Sequence, residues 1–185
     1  NENLSSYNDA RRSSNILIKV AEDATDEQRA KVEAEAQKVL DQINAGEIEF
    51  AKAAKKYSED SSADKGGDVG WDKLTTFVTE YQDALSGLSK GQVSGLVKTT
   101  YGYHIIECTD VFKVDGEVKK AKEVPEEIRT YISNILKTQA EGAAYSEWWT
   151  EYKEKADIVI NEMPESVPYN VSLKGVEPTA EGSSN

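Results

Sequence analysis

Two adjacent glycines, Gly66 and Gly67, lie in a polar loop that covers residues 58–70. Glycine tolerates positive φ angles and lets other backbone approach closely, so the pair predicts unusual backbone angles or tight packing at this point. A loop of this kind needs regular elements that pack around it. The hydrophobic patterns on either side of the loop indicate which elements these are.

The segment before the loop predicts one strand and two helices. Residues Ser14–Val20 form a short, apolar, β-branched run that is typical of a buried strand. Thr25 and Gln28 fit a capping box, in which the two side chains satisfy free amides at the start of a helix. Apolar residues at helical spacing follow as far as Gly46, and a second helix is predicted from about residue 48 to residue 57.

The segment after the loop predicts a short helix at Thr79–Leu85 and two strands, Gln92–Thr99 and Tyr103–Val111. Asp115-Gly116 is a hairpin-type turn signal. An antiparallel sheet with helices packed on it follows from the rules for layered domains, so the predicted fold class is α+β.

The remainder of the chain has a different character. Pro125 suits the first position of a helix, and apolar and aromatic residues then recur at helical spacing from Ile128 to Tyr152. Residues 157–160 fit a short strand. From Glu162 onward the chain is rich in Pro, Ser and Glu without periodicity, which predicts a disordered tail.

The charge balance limits the function. The chain carries 22 Lys and Arg against 34 Asp and Glu, a formal charge of −12. Nucleic-acid binding is therefore excluded, because no dense basic cluster is available to displace counterions from phosphates. Cys108 is the only cysteine and His104 the only histidine, so we expect neither an intramolecular disulfide nor a multi-histidine metal site.

The stretch from Asn15 to Cys108 resembles the parvulin-type peptidyl-prolyl cis-trans isomerases through a series of linked motifs. They occur in the same order as in that family, which makes chance agreement improbable. The motifs are Ser14–Ile18, Phe50–Ser58, the Gly-Gly-Asp-Val-Gly-Trp run at 66–71, Gly91–Ser94 and Lys98–Ile106. The resemblance implies a small antiparallel sheet with surrounding helices, and an isomerase that needs no cofactor, metal or covalent intermediate.

The resemblance also implies where the substrate binds. The slot for the proline ring would be lined by Val69, Phe77 and Tyr81, and Asp60 and His104 would belong to the polar network of the family. Thr99 stands where the family often places a hydroxyl that contacts this network.

Asn15 is a departure from the family pattern, because it replaces the first of two histidines. An asparagine can donate and accept hydrogen bonds but cannot share a titrating proton. The network would then keep its geometry without the second imidazole. Each of these residues also has a purely structural interpretation, such as a loop cap for Asp60 or a core position for Phe77 and Tyr81.

A weaker resemblance extends to extracytoplasmic foldases of the PrsA type, in which a parvulin domain interrupts a helical chaperone domain. It implies that the chain is a fragment of such a foldase, with four parts. These are a helical remnant at 1–12, the isomerase domain at 13–113, a helical chaperone segment at 114–161 and the tail at 162–185.

Two functions follow as expectations. The first is isomerisation of proline-containing segments in unfolded, secreted proteins, outside the cytoplasm, by a parent protein anchored to a membrane. The alternative is a non-catalytic holdase with a degenerate parvulin site, which Asn15 favours. A homodimer through the C-terminal helix, which carries Trp148 and Trp149, is a further expectation.

Overall fold

The structure, a computed structural model, describes residues 2–114, 118 and 120–156. Its internal contacts divide the chain into two units, residues 1–138 and residues 139–185. The first unit contains the whole sheet. The described part of the second unit is the later portion of one long helix.

Four antiparallel strands form the sheet, in the order β2-β1-β4-β3. Their bounds are β1 Ala10–Lys19, β2 Asp68–Trp71, β3 Val97–Lys98 and β4 Gly102–Phe112. The two long strands, β1 and β4, pair along their whole length in the middle of the sheet. This arrangement confirms the predicted α+β class.

The helices are α1 Asp26–Asn44, α2 Phe50–Tyr57, α3 Thr79–Ser86 and α4 Glu126–Lys155, with 3-10 turns at Glu2–Tyr7, Ala63–Lys65 and Ala121–Glu123. The predicted capping box is confirmed at the start of α1. Thr25 Oγ1 accepts from the Gln28 N–H at 3.2 Å, and Gln28 Oε1 accepts from the Thr25 N–H at 2.8 Å.

The two faces of the sheet carry separate apolar clusters, because successive residues of a strand point to opposite sides. Ile16 and Ile105 pack with α1 and α2 through Val39, Leu40, Phe50, Ala53 and Ala54. Ile106 and Cys108 pack on the other face with α3 and the residues after it, namely Tyr81, Leu85 and Leu88. A third cluster joins Tyr7, Ala10, Trp71, Phe112, Val124 and Ile128.

The glycine pair has the backbone angles that the sequence predicts. Gly66 has φ +73° and Gly67 has φ +86°. A Cβ at Gly67 would lie 2.5 Å from the Asn15 carbonyl oxygen, while the Gly67 carbonyl accepts from the Asn15 N–H at 2.8 Å. The loop is therefore held directly against β1 at Asn15.

The predicted strand at Gln92–Thr99 is wrong for most of its length. Only Val97–Lys98 form β3, together with an isolated bridge between Val93 and Glu107. The Ser94 hydroxyl accepts from the Ile106 N–H at 2.9 Å. A side chain thus occupies a position that a strand carbonyl would take, and the regular ladder is interrupted.

Other boundaries also differ from the prediction. Residues 68–70, predicted as loop, form β2 together with Trp71, because this segment reaches the free edge of β1 at Arg12–Ser14. Strand β1 starts at Ala10 rather than Ser14, since Ala10 and Phe112 pair at the sheet end and are both buried. Pro125 precedes the first residue of α4, and its carbonyl accepts from the Arg129 N–H.

Several predictions fall on residues that the structure does not describe. These are the Asp115-Gly116 turn, the strand at 157–160 and the tail at 162–185. The boundaries of the four predicted parts stay a prediction. Within the described residues, no helix combines the length and apolarity that a membrane span requires.

Candidate active site

A cleft of about 440 Å³ opens between the loop after α2, strands β1, β2 and β4, and helix α3 with the segment before it. Six of the seven predicted site residues line it: Asn15, Asp60, Val69, Phe77, Tyr81 and His104. The seventh, Thr99, is hydrogen-bonded to His104. Positions far apart in the chain therefore meet in one cavity, as the prediction requires.

One wall of the cleft is apolar. Phe77 lies in the segment before α3 and Tyr81 lies on α3, and their ring centroids are 4.6 Å from each other. The Tyr81 ring also meets the His104 imidazole edge-on at 5.7 Å. Val69 of β2 completes this wall. Such a surface accepts an apolar ring and keeps water away from it.

The hydroxyl of Tyr81 contacts β1 behind the apolar wall. The side chain is only 3% exposed, and its hydroxyl lies 3.1 Å from Ser13 Oγ. Burial raises the pKa of the Tyr81 phenol above its ordinary value, so the hydroxyl stays protonated and able to donate.

Val69 is positioned by a charge pair beside it. The Asp68 carboxylate accepts from Arg12 Nε at 3.2 Å and from Arg12 Nη2 at 2.7 Å. Arg12 lowers the pKa of Asp68 below its ordinary value. The same guanidinium pairs with Glu127 at the start of α4. Ser13 pairs with Gly70 and Ser14 with Asp68, so Val69 is the extra residue at this irregularity, and the charge pair holds β2 next to it.

The opposite side of the cleft carries a polar network around His104. Asn15 and His104 lie on neighbouring strands and are both buried. Asn15 Oδ1 lies 3.0 Å from His104 Nδ1, and Thr99 Oγ1 lies 2.9 Å from His104 Nε2. Because an amide oxygen only accepts, Nδ1 carries the proton and Nε2 accepts from the Thr99 hydroxyl. Both ring nitrogens are thus occupied.

The imidazole is neutral near pH 7. Burial lowers the pKa of His104 below its ordinary value, and the negative charge of Asp60 opposes this to a smaller extent. A neutral ring with the proton on Nδ1 is the form that the two hydrogen bonds require. Electrostatics and hydrogen bonding therefore favour the same state.

Asp60 lies on the loop after α2 and is partly exposed. Its Oδ1 accepts from the Ser62 N–H at 2.8 Å and from the Ser62 hydroxyl. No residue in the described ranges forms a hydrogen bond with Oδ2. The carboxylate is therefore held in one orientation through one oxygen, and the other oxygen is free for a ligand in the cleft.

Some residues of the cleft were not predicted from the sequence: Leu17, Lys19, Glu59, Ser61, Thr76, Val78 and Tyr101. Ser13, below the wall, was also missed. Tyr101 lies in the predicted turn, close in sequence to Thr99 and His104, and Glu59 is next to Asp60. Their closeness in sequence to predicted site residues is the signal that could have identified them. The pairing of Ser13 with Tyr81 joins positions 68 residues apart and has no local signal.

Among the described residues, no group of three or more His, Cys, Asp and Glu side chains could hold a metal ion.

Several known proteins are similar to this chain over the range that contains the cleft. The profile of the family described as Rotamase, PPIC-type PPIASE domain, matches residues 16–110. Foldase protein PrsA of Geobacillus sp. (strain WCH70) is 39% identical over 118 residues, which are 58% of this chain and 42% of that protein. Chaperone SurA of Shigella dysenteriae serotype 1 (strain Sd197) is 36% identical over 147 residues, 78% of this chain and 32% of that protein.

A solved structure of a PpiC-type peptidyl-prolyl cis-trans isomerase domain is also similar. It has 29% sequence identity and a TM-score of 0.52, and the match covers 60% of this chain and 99% of that one. The chain spans less than half the length of either curated relative named above. The matched range holds the sheet from Ile16 to Asp110, helices α1 to α3 and every cleft residue except Asn15. This chain therefore belongs to the PpiC-type peptidyl-prolyl isomerase family.

Proposed function

We propose that the cleft catalyses cis-trans isomerisation of peptide bonds that precede proline. The observation that carries the proposal is the placement of an apolar wall opposite a polar edge in one cavity, Val69, Phe77 and Tyr81 against Asp60, His104 and Asn15. Family membership supports the same reaction.

The reaction places particular demands on a catalyst. Rotation about an X-Pro bond crosses a barrier of about 18–20 kcal/mol and takes tens to hundreds of seconds unaided. In the transition state the amide is twisted and loses its resonance, so the carbonyl oxygen becomes less negative and the nitrogen more basic. A catalyst must therefore hold the proline ring, solvate the planar amide poorly and offer polar groups that favour the twisted form.

The residues of the cleft meet these demands. The apolar wall binds the ring and removes water from the amide. The Asp60 carboxylate, oriented by Ser62, disfavours the planar amide because that form carries more negative charge on its oxygen. The Asn15 amide nitrogen makes no hydrogen bond to the described residues and can donate to the twisted bond. His104 acts through Asn15 and is a positioning residue.

The direct test is an NMR exchange assay on an Ala-Pro peptide. The protein is expected to raise the exchange rate in proportion to its concentration. Exchange at the rate seen in buffer, at high protein concentration, would overturn the proposal.

A second candidate function is a holdase that grips unfolded chains without isomerising them. Four aromatic side chains in the second unit favour it. Tyr145, Trp148, Trp149 and Tyr152 are each at least 41% exposed, and each ring lies 5.4 to 6.2 Å from at least one other, centroid to centroid. Suppression of client aggregation that survives Asp60→Ala and His104→Ala would support this function. Loss of suppression in both variants would instead assign it to the cleft.

The partners that we propose are unfolded, proline-containing polypeptides, encountered outside the cytoplasm. The foldase and chaperone names of the relatives support this choice. Anchoring of the parent protein to a membrane and dimerisation through α4 belong to the same proposal. Fractionation of cells that express the parent protein, and sedimentation of this chain, test these two points.

A further inference from the structure

Asp72 is a buried carboxylate between β1 and α3, and the proposed mechanism gives it no part. It follows the last residue of β2, is 8% exposed and does not line the cleft. Its Oδ1 accepts from the Arg11 N–H at 2.9 Å, and its Oδ2 accepts from Gln82 Nε2 at 3.0 Å. Within the described ranges it takes part in no ion pair. A buried charge needs hydrogen bonds to offset its loss of water, so each of these two bonds stabilises the carboxylate.

The carboxylate is fixed firmly to the sheet. The Asp72 N–H donates to the Arg11 carbonyl at 2.9 Å, so Asp72 and Arg11 exchange two hydrogen bonds. Their neighbours Trp71 and Arg12 are paired across β2 and β1. The Arg11 side chain is itself held, because its Nε donates to the Leu88 carbonyl at 3.0 Å. Asp72 is therefore a rigid anchor for any group that binds its second oxygen.

That group is Gln82, and its bond to Asp72 closes the base of the segment that carries most of the apolar wall. Asp72 and Gln82 are ten residues apart in the chain, and the residues between them include Phe77 and Tyr81. One hydrogen bond thus joins the two ends of a segment that supplies two of the three wall residues.

Helix α3 has little local support of its own. It has eight residues, and its N-cap residue, Val78, makes no side-chain hydrogen bond to the start of the helix. Short helices are held mainly by contacts with the rest of the fold. In the part of the chain that the structure describes, two side-chain hydrogen bonds join α3 to other parts of the fold, Tyr81 to Ser13 and Gln82 to Asp72. Since Gln82 does not line the cleft, the second bond can be removed without changing a residue that meets the substrate.

We propose that Asp72 and Gln82 are positioning residues, whose hydrogen bond sets the separation between the apolar wall and the polar edge of the cleft. The inference rests on the proposed isomerase function and names the buried groups that control the fit of the proline ring. The ring itself is the same in the planar and the twisted amide, so a displaced wall weakens the binding of both states alike. Loss of the bond should therefore raise KM and leave kcat nearly unchanged.

The test measures kcat and KM by NMR exchange of an Ala-Pro peptide at a series of peptide concentrations, and Kd for the same peptide by titration. Gln82→Ala should raise KM and Kd by about two- to tenfold, the effect of one hydrogen bond, with kcat within about twofold of the unaltered protein. Gln82→Glu should raise KM at least as much, because it sets two carboxylates against each other.

A second change should reverse this effect. In Asp72→Asn combined with Gln82→Glu, the asparagine amide donates to the introduced carboxylate, and the charge has moved from one end of the bond to the other. KM should return to within about twofold of the unaltered protein. A role in stability alone would not produce this restoration of KM.

Two control variants lie on α1, which packs on the other face of the sheet. Gln37→Ala removes a matched bond, from Gln37 Nε2 to Asp41 Oδ1 at 2.8 Å, and should leave KM unchanged. Thr25→Ala removes the capping box of α1, so it should lower the urea midpoint and also leave KM unchanged. The two controls separate a general loss of stability from displacement of the wall.

The positioning role is overturned if Gln82→Ala keeps the KM of the unaltered protein, if the double variant fails to restore KM, or if Thr25→Ala raises KM as much as Gln82→Ala does. Absence of catalysed exchange in the unaltered protein would overturn the isomerase function. The titration would then still decide the positioning role, because it measures the affinity of the cleft for the peptide. A protein that neither catalyses exchange nor binds the peptide would overturn both.

Discussion

At the scale of single residues, the site depends on the two hydrogen bonds that hold His104. The Asn15 oxygen and the Thr99 hydroxyl fix both the ring orientation and the position of its proton. The sequence resemblance indicated these three residues as a group. It did not indicate which tautomer they select, because that depends on which atom of the Asn15 amide faces the ring.

The pH dependence of the rate follows from this arrangement. Burial lowers the pKa of His104 below the ordinary histidine value of 6.5. The imidazole is therefore neutral at pH 6.5 and above, and it becomes protonated only at lower pH. We expect kcat/KM to be flat from pH 6.5 to pH 8. Asn15→His places a second titratable ring against Nδ1, so its rate should change within that range. A flat profile for Asn15→His, measured by NMR exchange, would contradict this explanation.

Ser13 and Tyr81 are expected to be coupled in stability. Ser13→Ala leaves the buried Tyr81 hydroxyl without a partner and should lower the free energy of unfolding by about 1–3 kcal/mol. In a Tyr81→Phe background the same change should cost less than about 0.5 kcal/mol, because no hydroxyl remains to satisfy. Urea denaturation of the four proteins measures the coupling. Equal costs in both backgrounds would refute it.

At the scale of elements, features set by neighbouring residues in the sequence were predicted correctly, and strands that depend on distant residues were not. The capping box of α1 and the angles of Gly66 and Gly67 follow from a few neighbouring residues, and they were predicted. Strand β2 was missed because it depends on the edge of β1. The shortness of β3 was missed because a serine side chain interrupts its ladder.

Gly67 is expected to be essential to the placement of the loop. Gly67→Ala combines a positive φ with a Cβ 2.5 Å from the Asn15 carbonyl oxygen, so it should lower stability by at least about 2 kcal/mol. It should also lower kcat/KM, because Asn15 is the residue displaced. Gly95→Ala is the control, since that glycine has open space around its Cβ position and no positive φ. Similar urea midpoints for both variants would show that the contact is unimportant.

At the scale of the whole molecule, the cleft and the aromatic cluster of Tyr145, Trp148, Trp149 and Tyr152 belong to different units. The cleft lies entirely within residues 1–138, and Tyr145 to Tyr152 lie within residues 139–185. The family and α+β class could be predicted from the order of motifs in the sequence. The pairing of Ser13 with Tyr81 could not, because it joins positions 68 residues apart.

The two units should therefore carry separable activities. Trp148→Ala combined with Trp149→Ala is expected to remove at least about half of the suppression of client aggregation, because exposed apolar surface is lost. The exchange rate of a short Ala-Pro peptide should stay within twofold of the unaltered protein. Ser146→Ala on the same helix is the control. A fall in both activities would contradict the separation.

The measurement that tests the central claim most directly is NMR exchange of an Ala-Pro peptide by the unaltered protein, by Asp60→Ala and by Asp64→Ala. Asp64 is an exposed carboxylate on the same loop that does not line the cleft. We expect catalysis by the unaltered protein and by Asp64→Ala, and a loss of at least about tenfold in kcat/KM for Asp60→Ala, in the range typical for groups that act on a transition state. Equal rates for Asp60→Ala and Asp64→Ala would contradict the proposal that this cleft performs the isomerisation.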